Sequence, residues 1–263
     1  MNFALKNYFF KKKNLYFKDV GQNILIKTHK NNTRVIYFYK QKFFRKFSIN
    51  KKGINKIISE SEGYTWYSKR AKIKKKKLIK KFFKNKKISY IDLKEINGVK
   101  IKSWKPLKQT YQFLIRFYIY YLKLYPINKY TRIHGDLTLD NIFFKKRSII
   151  LIDWEFFKAK KSYYGYDLVY LFLSAVCLPY LNGNELSDKE IILFKNLWKL
   201  LIKKKINKKL LFHPFKFFKE KIKKDHELKK SLKLSKSKFF PFIISAIHKK
   251  KIMKIIEELK NEK

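Results

Sequence analysis

Short apolar runs broken by polar residues mark the first hundred residues. NILIKTH (23–29), TRVIYFYK (33–40) and KFFRKFSIN (42–50) are rich in β-branched and aromatic residues, and the turn-like KNN at 30–32 separates the first two. This aromatic and β-branched composition, with the turn, predicts an antiparallel hairpin and a third strand at 43–49. Beyond it, Ile54, Ile57, Ile58, Tyr64 and Tyr67 recur at helical spacing, predicting a helix over about 54–70 in spite of Gly63. Short strands are expected at 88–93 (ISYIDL) and 99–104.

From Pro106 the pattern changes. PLKQTYQFLIRFYIYYLKLYP is bounded by prolines and lacks turn residues, which predicts one long helix of about 18 residues whose aromatic face is buried. IHGDLTLDNIFF (133–144) then reads as a polar loop followed by a strand pair at 142–144 and 149–152. Helices are predicted at about 165–178, 188–204, 214–223 and 239–260. The expected architecture is α+β and bilobal, with a small β-rich N-terminal lobe over 1–104 and a larger, mainly helical C-terminal lobe over 105–263.

Composition adds charge to this outline. Lys and Arg number 66 against 19 Asp and Glu, a formal net charge of +47. Nucleic-acid binding is one reading of such a chain. Only six of the 66 are Arg, however, and Arg is the better bidentate phosphate ligand. Lys, Asn, Ile, Phe and Tyr share AT-rich codons, and all are abundant here, so coding bias accounts for the profile. Specific nucleic-acid recognition is therefore not expected, whereas non-specific attraction to polyanions is. The single Cys177, in an apolar run, excludes an intrachain disulfide and reads as an inert core thiol. The longest apolar run, 168–181, is too short for a membrane span and contains a proline, and the N-terminus lacks the features of a signal peptide, so a cytoplasmic location is expected. His29, His213, His226 and His248 show no metal-ligand spacing and read as surface residues.

The chemistry concentrates at 133–155. Asp136 and Asn141 stand five residues apart in His134-Gly135-Asp136-Leu137-Thr138-Leu139-Asp140-Asn141, and Ile152-Asp153-Trp154-Glu155 follows the strand pair. Phosphoryl transfer to an alcohol needs such residues: hard oxygen ligands for Mg²⁺ on ATP, and a carboxylate to orient the attacking hydroxyl and take its proton.

This pattern resembles the aminoglycoside phosphotransferase and choline kinase family, with its HGDLxxxN motif followed by IDWE. The resemblance implies a protein-kinase-like fold with nucleotide clasped between two lobes. It implies Asp136 as catalytic base, Asn141 and Asp153 as metal ligands, and His134 as a structural brace. Asp167, in Tyr166-Asp167-Leu168, is similar to a buried helix-start residue supporting the loop, and Glu155 is assigned a lesser part near the metal. The family also has a strand lysine on the ATP phosphates, paired with a helix glutamate. Lys46 and Glu60 match these, with Arg45 and Glu62 as competing choices. No glycine-rich loop is present, DVGQN at 19–23 offering only Gly21. Asp140 has no family role and reads as a solvated bystander. The implied cofactors are ATP and Mg²⁺, and the implied partner is a small-molecule hydroxyl acceptor: a sugar, a lipopolysaccharide sugar, choline or ethanolamine, or an aminoglycoside-like compound. The competing reading is a catalytically weak kinase-like module that binds nucleotide or a polyanion.

Overall fold

The computed structural model describes residues 16–19, 24–28, 33–38, 42–224 and 246–262. The DVGQN segment beyond Asp19, the KNN turn, His29, His226 and positions 239–245 of the last expected helix lie outside them. The chain forms two compact units. The first comprises residues 1–97 together with 153–157, and the second 98–152 with 158–263.

The first unit is built on a six-stranded antiparallel sheet. Its strands are β1 (Tyr16–Asp19), β2 (Ile24–Thr28), β3 (Thr33–Phe38), β4 (Phe43–Ser48), β5 (Ile79–Lys84) and β6 (Ser89–Lys94), in the order β1-β2-β3-β4-β6-β5. The expected hairpin and third strand are there: Val35 pairs with Lys27 on one side and Lys46 on the other. β5 was not expected, because IKKFFK continues a lysine-rich stretch whose pattern carries little period-two signal.

Helix α1 (Lys51–Arg70) packs against β4 and β6. It begins three residues earlier than the apolar spacing predicts, because Asn50 caps it by accepting a hydrogen bond from the Gly53 amide at 2.8 Å. Its buried stripe runs through Ile54, Ile57, Glu60, Tyr64 and Tyr67. Gly63 sits on the same side, where a Cβ would lie 2.5 Å from Trp154 Cβ and 3.0 Å from Phe157 Cβ. Glycine in mid-helix is thus required for the 153–157 segment to dock. Gly63→Ala is expected to destabilise the protein by about 1–3 kcal/mol through overpacking, although alanine is the better helix former. A thermal midpoint equal to or above that of the unaltered chain would contradict this packing.

The second unit contains two small sheets and six helices among its described residues. Strand β7 is only Val99–Lys100, shorter than the expected 99–104, and pairs with β9 (Ile142–Phe144), which pairs in turn with β10 (Ile149–Leu151). β8 (Tyr130–Ile133) pairs with β11 (Lys158–Tyr163). Helix α2 (Leu107–Leu124) has the predicted 18 residues and buries Leu114, Phe117, Tyr121 and Leu124. It packs on α3 (Tyr166–Cys177) and α4 (Asp188–Ile202). The remaining helices are α5 (Lys208–Phe212), α6 (Pro214–Lys224) and α7 (Ala246–Asn261).

Every residue of α3 is buried, Asp167 and Ser174 included, as a helix with apolar residues all round requires. Burial also pushes the Cys177 thiol well above its ordinary range, consistent with an inert core residue. No helix among the described residues is long and apolar enough to cross a membrane.

Candidate active site

Strand β4 and helix α1 define the first cluster. Lys46 Nζ lies 2.8 Å from Glu60 Oε1 and 2.8 Å from Asp153 Oδ1. The two competing choices are engaged elsewhere. Arg45, facing the other side of β4, makes a bidentate pair with Asp92 at 2.7 and 2.9 Å, and Glu62 is exposed. Strand alternation and helix periodicity together make this selection: adjacent strand residues face opposite ways, and Glu60 falls on the buried stripe that Glu62 misses.

One ammonium here serves two carboxylates. Burial works against the charge on Lys46, yet Asp153, Glu60 and Glu155 outweigh it and hold the lysine well above its ordinary range. Burial pushes Glu60 up to about 7, with Asp153 and Glu155 adding to the shift and Lys46 opposing it. Glu155 itself pairs with Lys56 at 3.3 Å.

A carboxyl raised in the folded state favours folding below its unfolded value and removes stability as the pH climbs through the folded one. Glu60→Gln is therefore expected to remove the loss of stability that the unaltered chain shows as pH rises from about 5 to about 8. Thermal unfolding across that range checks it; a Gln variant less stable at pH 8 would show that the ionised pair is a net asset to the fold.

Asp153 adopts φ +65°, the left-handed region that Asp tolerates better than most side chains, and its amide donates to the Tyr64 hydroxyl at 3.4 Å. Trp154, next in the chain, is fully buried against Trp66, Tyr67 and Phe157. A polar residue of unusual backbone conformation is thus anchored by an aromatic plug one position later.

The second cluster is the 133–141 loop. Gly135 has φ +91°, a conformation that suits glycine and explains a glycine between His134 and Asp136. His134 is fully buried, and its Nε2 lies 2.8 Å from the Ile152 carbonyl. A carbonyl only accepts, so Nε2 carries the hydrogen, and the ring braces the loop. Ile152 also donates its amide to the Asn141 carbonyl at 3.0 Å.

Asp167, in the first turn of α3, is fully buried. Its Oδ2 accepts the His134 amide at 2.8 Å and the Tyr125 hydroxyl at 3.4 Å, and its Oδ1 accepts the Gly135 amide at 3.0 Å. The helix N-terminus adds a favourable field for this buried anion.

Asn141 ends a short helical turn, Leu139–Asn141, and its Nδ2 donates to the Asp136 carbonyl at 2.7 Å. With the amide nitrogen so used, the amide presents its oxygen as a hard ligand atom. Asp140, which has no family role, is half-buried. Its amide meets Ser103 Oγ at 3.1 Å, and its Oδ1 is buried with no hydrogen-bond partner among the described residues.

The remaining histidines divide, with His213 exposed and His248 stacked on Tyr180 at 3.8 Å between ring centroids. A contact that the sequence pattern did not reveal is Tyr170. Its hydroxyl donates to Asp136 Oδ1 at 3.1 Å. The available signal was a tyrosine one helical turn after Asp167. Among the described residues, no three His, Cys, Asp or Glu side chains are grouped as a ready metal cage.

No family model matches the sequence, and no curated protein matches it. The fold is similar to that of solved small-molecule kinases at low identity. One is the GDP complex of wild-type aminoglycoside 2′-phosphotransferase IIIa, at 12% identity over 93% of this chain and 94% of that one, with a TM-score of 0.41. Another is an aminoglycoside 3′-phosphotransferase of type VIII, at 11% identity over 75% and 97%, with a TM-score of 0.33. A third is an amicoumacin kinase in complex with AMP-PNP, Ca²⁺ and Ami, at 12% identity over 99% and 93%, with a TM-score of 0.34. At these scores the likeness adds nothing to the chemistry of the site, which rests on this chain's own residues.

Proposed function

We propose that this protein is a small-molecule kinase that transfers the γ-phosphoryl group of ATP to a hydroxyl. The observation that carries the reading is Lys46, held 2.8 Å from both a helix glutamate, Glu60, and the aspartate of Ile-Asp-Trp-Glu, Asp153. A strand lysine paired with a helix glutamate, and an aspartate that holds the nucleotide's metal, are the recurring parts of kinase phosphoryl transfer.

Asp153 of the first unit and Asn141 of the second would each offer a hard oxygen atom to a divalent metal. Mg²⁺ takes one or two protein ligands and completes its shell with phosphate oxygens and water, so a closed cage is not needed. When bound, it would neutralise charge on the transferring phosphates. Lys46 would bind the α- and β-phosphates, with Glu60 keeping its ammonium in place. Asp136 would accept the hydrogen bond of the acceptor hydroxyl and take its proton. His134 and Asp167 hold the loop backbone so that Asp136 needs no reorganisation during the reaction. Glu155 is assigned a supporting part near the metal.

The acceptor class follows less directly from the residues. A sugar, a lipopolysaccharide sugar, choline or ethanolamine, and an aminoglycoside-like compound all present a suitable hydroxyl, and the lysine excess favours an anionic saccharide. The same excess would draw polyanions weakly, with binding lost as salt rises.

The test is acceptor-dependent ADP release with ATP and Mg²⁺ over a panel of hydroxylated metabolites. The unaltered chain should turn over at least one acceptor, and Asp153→Ala should lose most of that activity together with Mg²⁺-dependent nucleotide binding. Equal turnover in the two proteins would sink the assignment.

A further inference from the structure

We infer that Tyr170 is a positioning residue for the base: its hydroxyl fixes the carboxylate plane of Asp136 and thereby aims the carboxylate at the acceptor. The inference rests on the phosphotransfer reading of the 133–141 loop and adds to it a residue that no part of that motif contains.

The geometry is a two-point grip by one helix. Asp167 and Tyr170 are three residues apart on α3 and so share a face. Asp167 takes the backbone amides of His134 and Gly135 at 2.8 and 3.0 Å, and Tyr170 reaches the side chain of the next residue, Asp136, at 3.1 Å. Three consecutive loop residues are thus read by one turn of a fully buried helix. A carboxylate rotates readily about its terminal torsion. A bond to Oδ1 removes that freedom and sets the direction of the second oxygen before substrate arrives.

Tyr170 is itself well fixed. It is 5% exposed, its ring lies parallel to that of Tyr166 at 6.4 Å, and it meets Phe218 of α6 edge-on at 5.5 Å. Burial, with the Asp136 charge adding to it, holds the phenol well above its ordinary range, so it remains a donor throughout the working pH range. A phenylalanine ring would keep these ring contacts, and what the tyrosine hydroxyl adds is the bond to Asp136.

The experiment is a double-mutant cycle of Tyr170→Phe and Asp136→Asn, read as kcat and KM for ATP and acceptor, with thermal midpoints of all four proteins. Tyr170→Phe should lower kcat about 10-fold, the worth of one oriented hydrogen bond, with KM for ATP and the thermal midpoint close to those of the unaltered chain. In the Asp136→Asn background the same change should have no further effect on kcat, because there is no base left to aim. An equal loss in both backgrounds would mark Tyr170 as a general packing residue and overturn the inference, as would no loss in either. If the unaltered chain shows no acceptor-dependent turnover, or Asp136→Asn retains full turnover, the phosphotransfer reading fails and the inference falls with it.

Discussion

Asp136→Asn is expected to lower acceptor-dependent ADP release by about 10²–10⁴-fold while nucleotide binding stays near that of the unaltered chain. The substitution is close to isosteric. The Asn141 side chain bonds the backbone carbonyl of this residue, so that contact survives, and the Asn oxygen can still accept from the Tyr170 hydroxyl. What the substitution removes, on the proposed mechanism, is the capacity to take a proton from the attacking alcohol. Two outcomes are informative. Full activity would remove Asp136 from the mechanism, whereas equal loss of turnover and nucleotide affinity would recast it as part of the nucleotide site.

The second large effect concerns the support of that loop. Asp167→Ala should destabilise the protein by about 3–5 kcal/mol, because the buried His134 and Gly135 amides and the Tyr125 hydroxyl lose their acceptor together. In a chain of this size the thermal midpoint should fall by about 10 °C. Asp167→Asn, which retains one acceptor oxygen but turns an NH₂ toward a donor, should fall between the two. If thermal unfolding shows Asp167→Ala as stable as the unaltered chain, water has replaced the carboxylate, and the loop does not depend on α3.

How far these residues could be read in advance depended on the kind of signal each carried. His134, Asp136, Asn141 and Asp153 were legible because their spacing is local and their chemistry unusual. Lys46 and Glu60 were partly legible. Ile57, Glu60, Tyr64 and Tyr67 form a three–four–three stripe on α1, so an acid on an otherwise apolar face stood out, whereas Lys46 and Arg45 are neighbours that only sheet facing could separate. The register shows why Arg45 was not available: it lies directly across from Asp92 on β6. Tyr170 was hidden, since within LVYLFL a buried tyrosine reads as one more apolar side chain. The polar strands β5, β8 and β11 left too little hydrophobic alternation to be seen, because their existence depends on pairing partners remote in the chain.

The route of the chain through the two units has a consequence for synthesis. The first unit is assembled from 1–97 and 153–157, with all of 98–152 lying between them in sequence. Trp154 and Phe157 cover the face of α1 at Gly63 and Tyr67, so the unit emerging from a ribosome lacks part of its own core until that intervening stretch has been made. At roughly 5–20 residues per second, this leaves an aromatic helix face exposed for several seconds. The nascent chain passes through a window in which its first hundred residues can form a sheet and still remain open to misassociation, and that window closes only when residues 153–157 arrive.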